Sequence, residues 1–199
     1  EYAISELAAI HTAPTLKAPL GAIVISEKTG LALALTARGE PGHGSMPWPD
    51  TAPNRLVRAL NRLLEAERPP RVLPEVQEFF SRAATVMSPE ESAGYDDLAR
   101  SLSDRTFRER FLSNRQWAAM VRTTFAVTML RGSEKSNVIP PEASARIDCR
   151  MLAGDDPEEI AGWVRGVIAD EHVEVSIARE PKIPNLSPPD TELYKAMAD

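Results

Sequence analysis

Three short segments carry the residues best suited to chemistry. Gly42-His43-Gly44-Ser45-Met46-Pro47 sets a histidine between two glycines. The glycines strip steric cover from the imidazole, and the nearby prolines fix the path of the loop. A ring held this way can reach into a cleft and donate a hydrogen bond to a developing oxyanion; a turn whose histidine is simply exposed has the same composition. In Ser136-Asn137-Val138-Ile139-Pro140-Pro141, two prolines mark a strand entered from a constrained turn. Asn137 offers both a donor and an acceptor at its rim, either for a ligand or for the turn itself. In Asp148-Cys149-Arg150, alternation puts Arg150 on the polar side of a strand. A guanidinium on so rigid a base suits bidentate capture of a carboxylate; the alternative is a surface ion pair with Asp148 or a neighbouring strand. Cys149 alternates with apolar residues and has no base beside it, so it reads as core and not as a nucleophile.

The elements that must position these residues follow from periodicity. Leu31, Leu33 and Leu35 alternate with small residues, which predicts a strand over 28–37. After the Gly- and Pro-rich loop 39–50, Asp50 or Thr51 can cap a helix with Pro53 in its first turn. Leu56, Val57, Leu60, Leu63 and Leu64 give that helix its apolar stripe, and Pro69-Pro70 ends it. Residues 74–119 read as a helical insertion. Val76, Phe79, Phe80 and Ala83 form one stripe. Ser88-Pro89-Glu90-Glu91 reads as a capping box opening a second helix toward Leu98 and Leu102. Phe107, Phe111, Leu112 and Trp117 predict a third. Strand alternation returns at 122–131 and 143–151. Asp156-Pro157-Glu158-Glu159 then starts a helix with Ile160, Trp163, Val164, Val167 and Ile168 on its buried side. Val173, Val175 and Ile177 make the last strand. With the insertion set aside, the order is β-α-β-β-α-β. This predicts an α+β ferredoxin-like sandwich, a four-stranded antiparallel sheet with two helices on one face.

Composition narrows the functional class. The 199 residues carry a formal net charge of -6, which argues against a phosphate-binding surface and hence against nucleic acid. No apolar run approaches a membrane-spanning helix, so no membrane partner is expected. A single cysteine allows no internal disulfide, and a cytoplasmic location is slightly favoured over export. Glu1-Tyr2-Ala3-Ile4, with neither an initiator methionine nor a signal peptide, reads as a chain entered in mid-structure.

Taken together, the three segments resemble the zinc metallopeptidase family of aminoacylase-1, carboxypeptidase S, glutamate carboxypeptidase and succinyl-diaminopimelate desuccinylase. Gly42-His43-Gly44-Ser45 followed by Thr51-Ala52 is similar to that family's lid-loop signature. Asn137-Val138-Ile139-Pro140 followed by Asp148-Cys149-Arg150 is similar to its second signature, and Ala153-Gly154-Asp155-Asp156-Pro157-Glu158-Glu159 also fits. The helical insertion and the exit at Ser187-Pro188-Pro189-Asp190 most resemble the carboxypeptidase S branch, which includes N-fatty-acyl amino acid hydrolases.

The resemblance implies the lid, or dimerisation, domain of a homodimeric zinc amidohydrolase or carboxypeptidase acting on N-acyl amino acids or short peptides. It implies that His43 stabilises the tetrahedral intermediate in the partner subunit's active site, and that Asn137 and Arg150 bind the substrate's carboxylate or backbone. Glu6 resembles a late zinc ligand, although Leu7-Ala8 stand where members usually carry glycines. By the same likeness, residues 1–18 are the edge of a catalytic domain, 19–180 the lid with its insertion at 74–119, and 181–199 the return segment. The parent enzyme would use two zinc ions. With three histidines, no His-x-Asp and no catalytic Glu-Glu, this chain alone is expected to bind no zinc in catalytic geometry and to hydrolyse nothing. Two alternatives remain: a free-standing ferredoxin-like module that dimerises or binds a small molecule without catalysis, and a degenerate member that has lost its metal.

Overall fold

The computed structural model describes residues 9–11, 16–179, 181 and 187–198. In chain order the first elements are β1 (Ala9–His11), β2 (Leu20–Ala22), β3 (Thr29–Arg38), β4 (Gly42–His43), α1 (Ala52–Glu65), α2 (Pro74–Val86) and α3 (Leu98–Ser101). Then come α4 (Arg105–Ser113), α5 (Arg115–Val121), β5 (Thr124–Arg131), β6 (Val138–Ile139), β7 (Glu142–Met151), α6 (Pro157–Ile168), β8 (Val173–Arg179) and α7 (Glu192–Ala198). They fall into two compact units. One comprises residues 28–68 and 123–183; the other draws on 1–27, 69–122 and 184–199.

The first unit is built on an antiparallel sheet of order β5-β7-β3-β8. Its chain order is β-α-β-β-α-β, the ferredoxin-like sandwich. Period two explains the core. Leu31, Leu33, Leu35 and Ala37 of β3 and Ala143, Ala145, Ile147, Cys149 and Met151 of β7 are buried. They pack against Leu56, Leu60 and Leu63 of α1 and Ile160, Val164 and Ile168 of α6, so both helices cover one face. The opposite face carries the alternate residues, Gly30, Asp148 and Arg150 among them.

Both helices start where their caps dictate. Thr51 accepts from the Asn54 N–H, Asp156 accepts from the Glu159 N–H, and each helix has proline in its first turn. The end of α6 is fixed by Ala169 in a left-handed conformation, φ 46°. Beside it, Asp170 accepts from Arg55 of α1 at 2.9 and 3.2 Å, a partly buried tie between the helices.

Two expectations about this unit fail locally. Val57 and Leu64 are exposed, because the stripe that meets the sheet runs through Ala52, Leu56, Ala59, Leu60 and Leu63. Met129 is exposed too: a register shift between Val127 and Met129 breaks the alternation of β5.

Beyond the end of the sheet the chain makes a two-stranded arm. The β3–β7 ladder closes at Arg38 opposite Glu142, and the Gly39 N–H donates to the Pro141 carbonyl at 3.0 Å. Pairing then resumes between β4 and β6, with Gly42 opposite Ile139 and His43 opposite Val138. Pro140 and Pro141 have no N–H to offer a ladder, which is why it is interrupted there. Pairing resumes one residue out of register, since three residues separate Arg38 from Gly42 but only two separate Ile139 from Glu142.

The second unit holds an aromatic core. Phe80, Tyr95 and Phe111 are buried, with Phe79, Phe107 and Trp117 packed around them. Phe80 meets Tyr95 edge-on at 5.1 Å and Trp117 at 5.7 Å, the arrangement that ring quadrupoles favour. Gln77 staples the segment that follows α2: its amide nitrogen donates to the Tyr95 carbonyl and its oxygen accepts from the Leu98 N–H, both at 2.8 Å.

The second and third helices predicted for the insertion do not form as continuous helices. Ser88 and Glu91 do form the bonds of a capping box, yet the chain runs on through turns and Gly94, at φ +90°, and only Leu98–Ser101 is helical. Asn114 splits the third helix. It ends α4 and its side chain caps α5, accepting from Gln116 and Trp117 N–H groups.

Candidate functional site

The arm brings two of the sequence-predicted residues together. His43 stands opposite Val138, and the next bond, Gly44 N–H to Asn137 carbonyl at 2.8 Å, sets Asn137 beside it. The approach is close. A Cβ on Gly44 would lie 3.4 Å from the Asn137 carbonyl oxygen, at the edge of ordinary van der Waals contact. A turn returning Met46 N–H to the His43 carbonyl at 3.0 Å completes the tip.

His43 is exposed, and its ring orientation is set by its neighbour. Nδ1 accepts from the Ser45 N–H at 3.2 Å and lies 2.8 Å from Ser45 Oγ. With Nδ1 an acceptor, the neutral ring carries its proton on Nε2. The imidazole is thereby prepared as a hydrogen-bond donor on the side away from Ser45. Ser45 was legible in the motif, but nothing in its type showed that it would choose the tautomer. Met46 (73% exposed), Trp48 (55%) and Val138 (41%) are large apolar side chains left open in the arm and the loop that follows it.

Arg150 is elsewhere. It projects from the open face at the far end of β7, opposite Gly30 on one side and Thr124 on the other. Eight residue steps separate it from Glu142, about 27 Å at roughly 3.4 Å per residue, and the His43–Val138 pair lies beyond Glu142. One chain therefore does not bring Arg150 to His43 and Asn137. Its Nε donates to Asp148 Oδ2 at 3.0 Å, the same-face ion pair weighed from the sequence. Its Nη1 extends over Gly30, 3.8 Å from where a Cβ would stand.

Lys28, which sequence reasoning passed over, shares this corner. Its Nζ donates to Thr124 Oγ1 at 3.2 Å. Burial pushes the ammonium down to about 8, against the pull of Cys149 and Asp155, and Arg150 pushes the same way as burial. Cys149 is fully buried and its thiol is pushed up to about 12, chiefly by desolvation, so it is inert at neutral pH.

Glu6 lies outside the described residues. Among the described residues no three His, Cys, Asp or Glu side chains converge as a metal site, and no helix is long and apolar enough to cross a membrane.

Known proteins resemble the chain both in sequence and in fold. A family model described as peptidase dimerisation domain matches residues 25–176. The chain is 29% identical over 190 residues to the mouse (Mus musculus) N-fatty-acyl-amino acid synthase/hydrolase PM20D1, covering 90% of this chain and 35% of that protein. It is 33% identical over 178 residues to a probable carboxypeptidase S-like 2 of Dictyostelium discoideum, covering 88% of this chain and 32% of that protein. The chain thus spans about a third of the length of these relatives. Among solved structures, human carnosine dipeptidase 1 superposes with a TM-score of 0.55 at 13% identity, over 88% of this chain and 41% of that one. An M20 family metallo-carboxypeptidase from Sulfolobus solfataricus gives 0.52 at 16%, over 87% and 48%. At these identities the structural likeness speaks for the fold.

Proposed function

The chain belongs to the peptidase dimerisation domain family, and from that premise we propose that it is the lid and dimerisation domain of a zinc-dependent amidohydrolase acting on N-acyl amino acids or short peptides. The observation that carries this reading is the arm: an exposed histidine at its tip, held by Ser45 as an Nε2–H donor, with Asn137 alongside. Such a donor suits the negative charge that develops on a carbonyl oxygen when an amide is attacked. In this reading most zinc ligands come from the parent protein's catalytic domain, with Glu6 the candidate from this chain, and the metal when bound would supply an activated water.

Sheet geometry bears on how the residues divide. Arg150 and the His43–Asn137 pair are too far apart to hold one small substrate within one chain. In a symmetric dimer an active site can take Arg150 from one protomer and His43 with Asn137 from the other. Arg150 would then clamp the substrate carboxylate in its own protomer's site, while the arm reaches across to the scissile amide.

The test is His43→Ala in the full-length protein. We expect turnover to fall roughly 100- to 1000-fold with little change in the fold. Unchanged turnover on N-acyl amino acids and dipeptides would remove His43 from the mechanism.

A further inference from the structure

We propose that Lys28 is a second binding group for the substrate carboxylate, acting beside Arg150; the inference rests on the assignment of Arg150 above. The argument is one of position. Lys28 immediately precedes β3, two residues before Gly30, and Gly30 is the residue over which the Arg150 guanidinium extends. Its ammonium is bonded to Thr124, which is Arg150's partner on the opposite side. To travel from β3 to β5 the lysine stem must cross β7, a span of two strand spacings or about 10 Å. An extended lysine and one hydrogen bond cover that distance across the end of β7, the strand that carries Arg150. Two cationic groups are thus brought to the same corner of the sheet, near enough that Arg150 acts on the ammonium.

The ionisable groups that act on Lys28 include members of β7 and of the turn after it. β7 contributes Arg150 and the protonated Cys149, with Asp148 engaged by Arg150, and the turn after β7 contributes Asp155. The balance leaves the ammonium titrating near 8, well below an ordinary lysine. A carboxylate docking on the guanidinium would add an opposite charge within reach of the ammonium and favour its protonated form. Guanidinium and ammonium are complementary tools: a planar fork for the two oxygens and a compact point charge on their flank. The substrate class is therefore one with a free carboxylate next to the hydrolysed amide, and its binding takes up a proton on the alkaline side of neutrality.

The experiment compares wild type, Lys28→Met, Lys28→Arg and Arg150→Ala in the full-length protein. The substrates are an N-acyl amino acid and the corresponding carboxamide, followed from pH 6.5 to 9.5. For the acid substrate, wild-type KM should climb as pH passes about 8, the value to which Lys28 is lowered. Lys28→Met should raise KM about tenfold at pH 7 and flatten the profile, with kcat moving much less. Lys28→Arg should keep KM low to higher pH, and the carboxamide should respond to none of this. A second readout needs no turnover. Lysine side-chain NMR of the 199-residue chain should show the Lys28 midpoint rising when N-acetyl-leucine is added. If Arg150→Ala raises KM while the lysine variants and the midpoint do nothing, Lys28 is not a ligand group and the inference falls alone. If Arg150→Ala is also silent, the carboxylate assignment of Arg150 falls with it.

Discussion

At the scale of the residue, burial makes three groups report on pH. Cys149 and Tyr95 are both pushed up to about 12, from ordinary values of 9.0 and 10.0, mainly because burial disfavours their charged forms. Above pH 9 the unfolded chain loses protons that the folded chain keeps, so stability declines as pH rises through that range. Lys28 works in the opposite sense. Its folded value of about 8 lies below the ordinary 10.5, so between those values the unfolded chain holds the extra proton and stability grows with pH. Urea unfolding from pH 7 to 10 should show stability rising first and then levelling or falling beyond 9, and Lys28→Met should abolish the rise. A rise that survives in the variant would mean that another group supplies it. Much at this scale could be read in advance. Cys149 alternates with apolar neighbours, and Arg150 and Asp148 share a strand face by parity. Lys28 could not be found that way, because its partner Thr124 is brought near only by the pairing of β5 with β7.

At the scale of the element, glycines test whether shape or composition matters. Gly94 sits at φ +90°, and a Cβ there would come within 2.7 Å of Ser101 Oγ and 2.8 Å of Phe107 Cε2. Gly94→Ala should destabilise the aromatic unit by about 1–3 kcal/mol while leaving the sheet unit's unfolding unchanged; thermal unfolding followed by Trp117 fluorescence would register it. The same glycine explains why the capping box at Ser88 misled. Local bonds at Ser88 and Glu91 promise a helix, and a left-handed residue three positions on turns the chain toward Tyr95 and the Gln77 staple. Helices with strong caps at both the right place and the right phase, α1 and α6, were legible because Thr51, Asp156 and the following prolines leave the backbone little choice.

At the scale of the whole molecule, the sheet's length is what separates the two halves of the proposed site. That separation was hidden in the sequence, where Asn137 and Arg150 stand thirteen positions apart and look like neighbours. It also yields the sharpest prediction. His43→Ala and Arg150→Ala proteins should each be nearly inactive, yet a mixed dimer has one site with both residues intact and one with neither. Mixing them should restore activity toward that of one working site per heterodimer. No recovery after confirmed subunit exchange would mean that both residues serve the same protomer, or that one of them serves none.

The offset of one residue in the arm makes the aim of the imidazole a matter of counting. Side chains on a strand alternate sides, so removing a single residue such as Glu40 would bring the two ladders into step and roll the arm's tip through half a turn. The histidine would survive in the sequence and still be paired to the opposite strand, but it would look the wrong way. In this stretch the aim of the ring depends on residue count as much as on residue identity.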